Sequence, residues 1–88
     1  MIVSFANRKT ERFAREGKSK FSGLDHAKAM ARLQLLHAVG SLDDKSVGLH
    51  ALTGDRKGQW ALTINGPWRM VFRFADGNAH DVEIVDYH

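Results

Sequence analysis

The last third of the chain alternates. In QWALTI, Trp60, Leu62 and Ile64 fall on one side, and in WRMVFRF the residues Trp68, Met70, Phe72 and Phe74 point inward with Arg69, Val71 and Arg73 outward. AHDVEIVDYH continues the rule, with Val82 and Ile84 inward and Asp81, Glu83 and Val85 opposite. A period of two marks a half-buried strand. Asn65-Gly66, punctuated by Pro67, and Asp76-Gly77 are hairpin signals. The segment therefore predicts a three-stranded antiparallel meander with one face on a core and the other toward solvent.

The first half follows other periods. IVSF is short and β-branched at its start and predicts a strand. Asn7 is placed to cap a helix that buries Phe13 and breaks at Gly17. A second helix fits Leu24 to Ala38, capped by Ser22 or Asp25 and stopped by Gly40. Leu24, Ala27, Ala31, Leu35 and Ala38 share one face, which Met30, Leu33 and Leu36 widen, so this helix is expected to pack on more than one side. SLDDKSVGLHALTGDRKG keeps no period and predicts an irregular connection with a short strand at GLHAL. Helices first and strands afterwards give the α+β class, in one domain spanning residues 1–88.

Composition narrows the chemistry. The absence of cysteine excludes a disulfide framework and a thiolate metal site. No apolar run approaches the roughly 18 residues of a membrane span, and MIVSFANRKTERF has no signal-peptide core, so a soluble cytoplasmic protein without a membrane partner is expected. A net charge of +3 permits a polyanionic partner.

Outward-facing Arg69 and Arg73, with Arg56 and Lys57 in the preceding loop, are the candidates for a basic patch; Asp81 and Glu83 are alternative ion partners across the hairpin. Among five histidines, His26 and His37 lie on the second helix, where His37 complements the helix dipole, and His80 opens the last strand. His50 and His88 are the acid–base candidates, since imidazole exchanges protons near neutrality. Asp86 and His88 stand at i, i+2, but no second cluster completes a metal site. No nucleophile elbow and no GxxxxGK[ST] phosphate loop occurs.

Taken together, IVSF, SLDDKSV, GDRKGQW, NGPWRMVFRF and the terminal VDYH resemble the HigB toxins of the RelE/ParE superfamily over nearly the whole chain. The resemblance implies a RelE-like α+β toxin fold, two N-terminal helices packed on an antiparallel sheet. It implies a cofactor-free, metal-independent endoribonuclease that cuts messenger RNA in the decoding (A) site of a translating ribosome. Its implied partner is a HigA-type helix-turn-helix antitoxin, through which alone operator DNA would be contacted. Cleavage by 2′-OH attack on the scissile phosphate needs a base, an acid and a cation. The resemblance assigns acid–base work to His50, Asp86, Tyr87 and His88 and the cation to Arg69, with Arg56, Lys57 and Arg73 binding RNA or ribosome. It leaves open which histidine is base and which acid.

One departure stands out. The family commonly reads H-x-L-K-G-D-R, whereas this chain has Thr53 at the lysine position. A hydroxyl donates a hydrogen bond without charge, which shifts weight to Arg69, Arg56 or Lys57. Two alternatives follow: a ParE-like toxin that acts on DNA gyrase without cutting RNA, and an inactive homologue that serves only as antitoxin partner and co-repressor.

Overall fold

The computed structural model describes residues 1–19, 21–39, 49–52 and 54–86. Two helices, α1 (Arg8–Glu16) and α2 (His26–Ala38), precede four strands: β1 (Leu49–Ala51), β2 (Trp60–Asn65), β3 (Trp68–Ala75) and β4 (Asn78–Asp86). A 3₁₀ turn, Gly54–Arg56, separates β1 from β2. The strands form one sheet in the order β1-β2-β3-β4, each pair antiparallel. The α+β expectation is met, and the short strand at GLHAL extends the meander to four strands.

Both helices begin where the sequence places a cap. The Asn7 side chain accepts from the Thr10 N–H, and the Asp25 side chain accepts from the Lys28 N–H. Gly17 ends α1 in the left-handed conformation, φ 71°, which costs a residue without Cβ nothing. The face of α2 differs from the expectation. Ala29, Leu33 and Leu36 are buried and Met30 packs beside them, while Ala27, Ala31 and Ala38 are exposed. Leucine removes far more apolar area from water than alanine, so the leucine-rich stripe turns inward. These residues join Phe13, Phe21, Leu24, Leu62, Ile64, Trp68, Met70, Phe72, Val82 and Ile84 in one core between the helices and one face of the sheet. His37 also has a use other than the helix dipole: its Nδ1 accepts the Ile2 N–H at 3.2 Å.

The N-terminal segment does not form a continuous strand. It touches the outer edge of β4 through two isolated parallel bridges, Ile2 to Ala79 and Phe5 to Val82. The turns also refine the pattern. Asn65 pairs with Trp68, so Gly66-Pro67, not Asn65-Gly66, forms the first hairpin turn. Gly66 has φ 49°, the positive angle that a II′ turn needs at its first central position, and Pro67 has no N–H to lose. The Asn65 side chain then accepts from the Asp25 N–H (2.9 Å) and donates to the Gly23 carbonyl (3.0 Å), fastening the hairpin to the start of α2. Asp76-Gly77 forms the second turn as expected, both residues with positive φ.

β4 shifts register between the Val71 and Arg73 pairs, where Asp81 takes φ 53°. The N-terminal segment supplies the Ser4 carbonyl to the Val82 N–H (3.1 Å) and then leaves β4. The next donor on that edge, the Ile84 N–H, is taken by the fully buried Thr10 hydroxyl at 3.1 Å. Thr10→Val keeps the shape but leaves this buried N–H unpaired, which costs about 1–3 kcal/mol. Urea denaturation is expected to show a lowered midpoint with an unchanged slope; an unchanged midpoint would mean that Ile84 finds another acceptor.

Candidate active site

The pleat sorts the candidate residues onto two faces. Cross-strand pairs run His50 to Ala61, Ala61 to Val71 and Val71 to Glu83, so these four form a row across the face away from the helices. Thr63, Arg69 and Val85 form the parallel row beside it. His50 and Arg69 therefore share one face, two strands apart, and His50 is exposed. Two strand spacings and one two-residue step put their backbones roughly 12 Å apart. That gap suits two side chains meeting a substrate between them rather than meeting each other.

This face is not simply solvated. Val71 is fully buried and Ala61 is 4% exposed, although both lie on the side away from the helices. Part of the cover follows from Arg56, whose Nη1 lies 3.6 Å from Glu83 Oε1. Arg56 belongs to the turn between β1 and β2, whereas Glu83 is on β4, roughly 9.5 Å beyond β2. The turn and its arginine must then reach over the outer side of β3, above Val71. The same Nη1 faces Gln59 Oε1 at 3.4 Å.

Arg69 turns back along its own hairpin. Its Nη1 donates to the carbonyls of Gly66 (2.7 Å) and Trp68 (2.9 Å), which fixes the guanidinium at the β2–β3 end of the face. Arg73 lies two repeats along β3, roughly 13 Å from Arg69, and pairs with Asp81 at 3.7 Å, as the ion-partner reading expects. Both partners are more than half exposed, so that pair adds little stability. Lys57 is exposed, with its N–H held by the Gly54 carbonyl at 3.1 Å.

The C-terminal candidates divide. The β3–β4 ladder runs in register to its last pairs, Arg69 with Val85 and Trp68 with Asp86. The bulge that would turn the chain toward Arg69 is expected near Asp86, yet the described shift lies earlier, beside Asp81. Asp86 consequently shares the Trp68 side of the sheet and is not brought onto the face of His50 and Arg69. Tyr87, His88 and Thr53 lie outside the described residues. Among the described residues no cluster of His, Asp and Glu is arranged to hold a metal ion, and no helix is long and apolar enough to cross a membrane.

Sequence reasoning underrated Glu83, read only as an ion partner for the β3 arginines, and gave Asn7 only its capping role. Asn7 Nδ2 also donates to Glu83 Oε2 at 3.2 Å. The available signal was position: Glu83 is the central acidic residue on the outward face of β4.

Comparison with known proteins agrees with this geometry. A stretch of 50 residues is 40% identical to the endoribonuclease HigB of Proteus vulgaris, covering 57% of this chain and 54% of that protein, so the match spans about half the relative's length. Residues 3–88 match the family model described as the RelE-like toxin of the type II toxin–antitoxin system HigB. With that match covering almost the entire sequence, the chain belongs to the HigB family of RelE-like toxins.

Proposed function

We propose that this toxin is an endoribonuclease that cuts messenger RNA in the ribosomal A site. The observation that carries the reading is the placement of His50 and Arg69 on one open face, with Arg56 reaching over it. An imidazole exchanges the proton of the attacking 2′-OH or of the leaving 5′ oxygen. A guanidinium offsets charge that grows on the phosphoryl oxygens, and Arg69 is the arginine for that task. Arg56, Lys57 and Arg73 supply backbone contacts to the RNA or the ribosome. Tyr87 and His88 carry the complementary proton transfer and base stacking that the family resemblance assigns to them. Asp86 acts from the strand end that leads into them.

This chemistry needs no metal or cofactor. It places the protein in the cytoplasm with translating ribosomes, held in check by a HigA-type helix-turn-helix antitoxin that also carries it to operator DNA. The 40% identity to a protein named endoribonuclease supports cleavage over a gyrase poison.

Induced expression followed by mapping of transcript 5′ ends tests the proposal. New cuts are expected inside reading frames, in register with codons, on ribosome-associated transcripts. Growth arrest without such cuts overturns the nuclease reading, and a DNA-damage response in its place favours gyrase. Neither arrest nor cuts would leave the co-repressor role.

A further inference from the structure

Arg56 is held by more than its own turn. Glu83 presents one carboxylate oxygen to Arg56 Nη1 (3.6 Å) and the other to Asn7 Nδ2 (3.2 Å). Asn7 is itself fixed, because its Oδ1 accepts the Thr10 N–H at 2.8 Å at the start of α1. Thr10 in turn holds the Ile84 N–H, the residue next to Glu83 on β4. The Glu83 carboxylate is thus clamped from both sides: its backbone is pinned through Ile84, and its head is pinned through the helix cap. The Glu83 side chain is 26% exposed and that of Arg56 35%, so this pair is partly withdrawn from water, unlike the exposed Arg73–Asp81 pair.

We propose that Glu83 is a positioning residue that holds Arg56 over the sheet face as a fixed phosphate-binding cation, an inference that rests on the RNA-cleaving reading above. Ordering a long arginine in advance removes the entropy otherwise lost when RNA binds. The need for it is visible in the sequence. The resemblance places a lysine where this chain has Thr53, and Arg56 is the next cation along the same loop. A cation held in place there compensates for the charge that Thr53 lacks.

The sign of one substitution separates positioning from plain electrostatics. Glu83 is an anion on an RNA-binding face, so if it acted only through its charge its removal would strengthen binding. If it positions Arg56, removal weakens binding. The assay is affinity for ribosomes programmed with a messenger that is 2′-O-methylated through the A-site codon, which cannot be cut. Arg56→Ala is expected to weaken binding about tenfold, the scale of one charge-assisted hydrogen bond. Glu83→Ala is expected to weaken it several-fold, and the double variant no more than Arg56→Ala alone. Glu83→Gln, which retains an acceptor, is expected to recover most of the loss and serves if Glu83→Ala folds poorly; melting curves of every variant control for folding.

Tighter binding by Glu83→Ala or Glu83→Gln, or additive losses in the double variant, would overturn the proposal while leaving cleavage by the unaltered protein intact. Coupled losses in a protein that never cuts an unmodified messenger would overturn the nuclease reading and retain the positioning role. No binding by the unaltered protein would remove both.

Discussion

Replacing His50 with alanine is expected to lower messenger-RNA cleavage by about 10²–10⁴-fold, the usual contribution of a positioned acid or base. Growth arrest should disappear with it. The fold should not suffer: His50 is exposed on the short edge strand β1, and substitutions at such places usually stay within about 0.5 kcal/mol. Unchanged melting beside lost cleavage is therefore the expected pair of results. A messenger with a 5′-thio leaving group at the scissile position separates the two proton roles. A thiolate leaves without a proton, so that substrate should rescue His50→Ala if His50 is the acid and not if it is the base. Cleavage by His50→Ala at the original rate would mean that the imidazole is an idle edge-strand side chain, and the proton transfers would have to be sought elsewhere.

The face that carries His50 was legible because alternation is a strong code. Once β2, β3 and β4 were read from their period of two, Arg69 had to lie opposite the core, and the β3–β4 register confirms it. What alternation cannot supply is the lateral order of side chains from different loops. Arg56 lies in a segment without a period, and its reach to Glu83 depends on how a 3₁₀ turn folds back, a tertiary fact with no local signature. Asn7 illustrates the same limit. Its capping role is local and readable, whereas its second bond to Glu83 crosses from one end of the chain to the other. The face of α2 was misread for a different reason: the alanines and the leucines each make a helical stripe, and only burial against the sheet selects the leucines. Asp86 shows the code overriding an expectation, since a regular ladder to Trp68 puts it on the side away from Arg69.

Phe72→Ala should produce the largest loss of stability. Phe72 is fully buried on the core face of β3, directly across from Trp60. Truncating a buried phenylalanine costs about 3–5 kcal/mol through lost transfer energy and the cavity left behind. A domain of 88 residues holds a total of only roughly 4–13 kcal/mol, so much of the margin would be spent at one site. Thermal denaturation should show a drop of more than about ten degrees, and Phe72→Leu, which refills most of the volume, a smaller one. A loss below about 1 kcal/mol would mean that β3 is not the centre of the core. The adjacent substitution gives the contrast. Arg73→Ala removes an exposed side chain with one long ion pair and should leave melting almost unchanged, while lowering affinity for programmed ribosomes by weakening a phosphate contact. Neighbours on one strand would then fail in opposite ways, because β3 carries the core on one face and the proposed RNA contacts on the other.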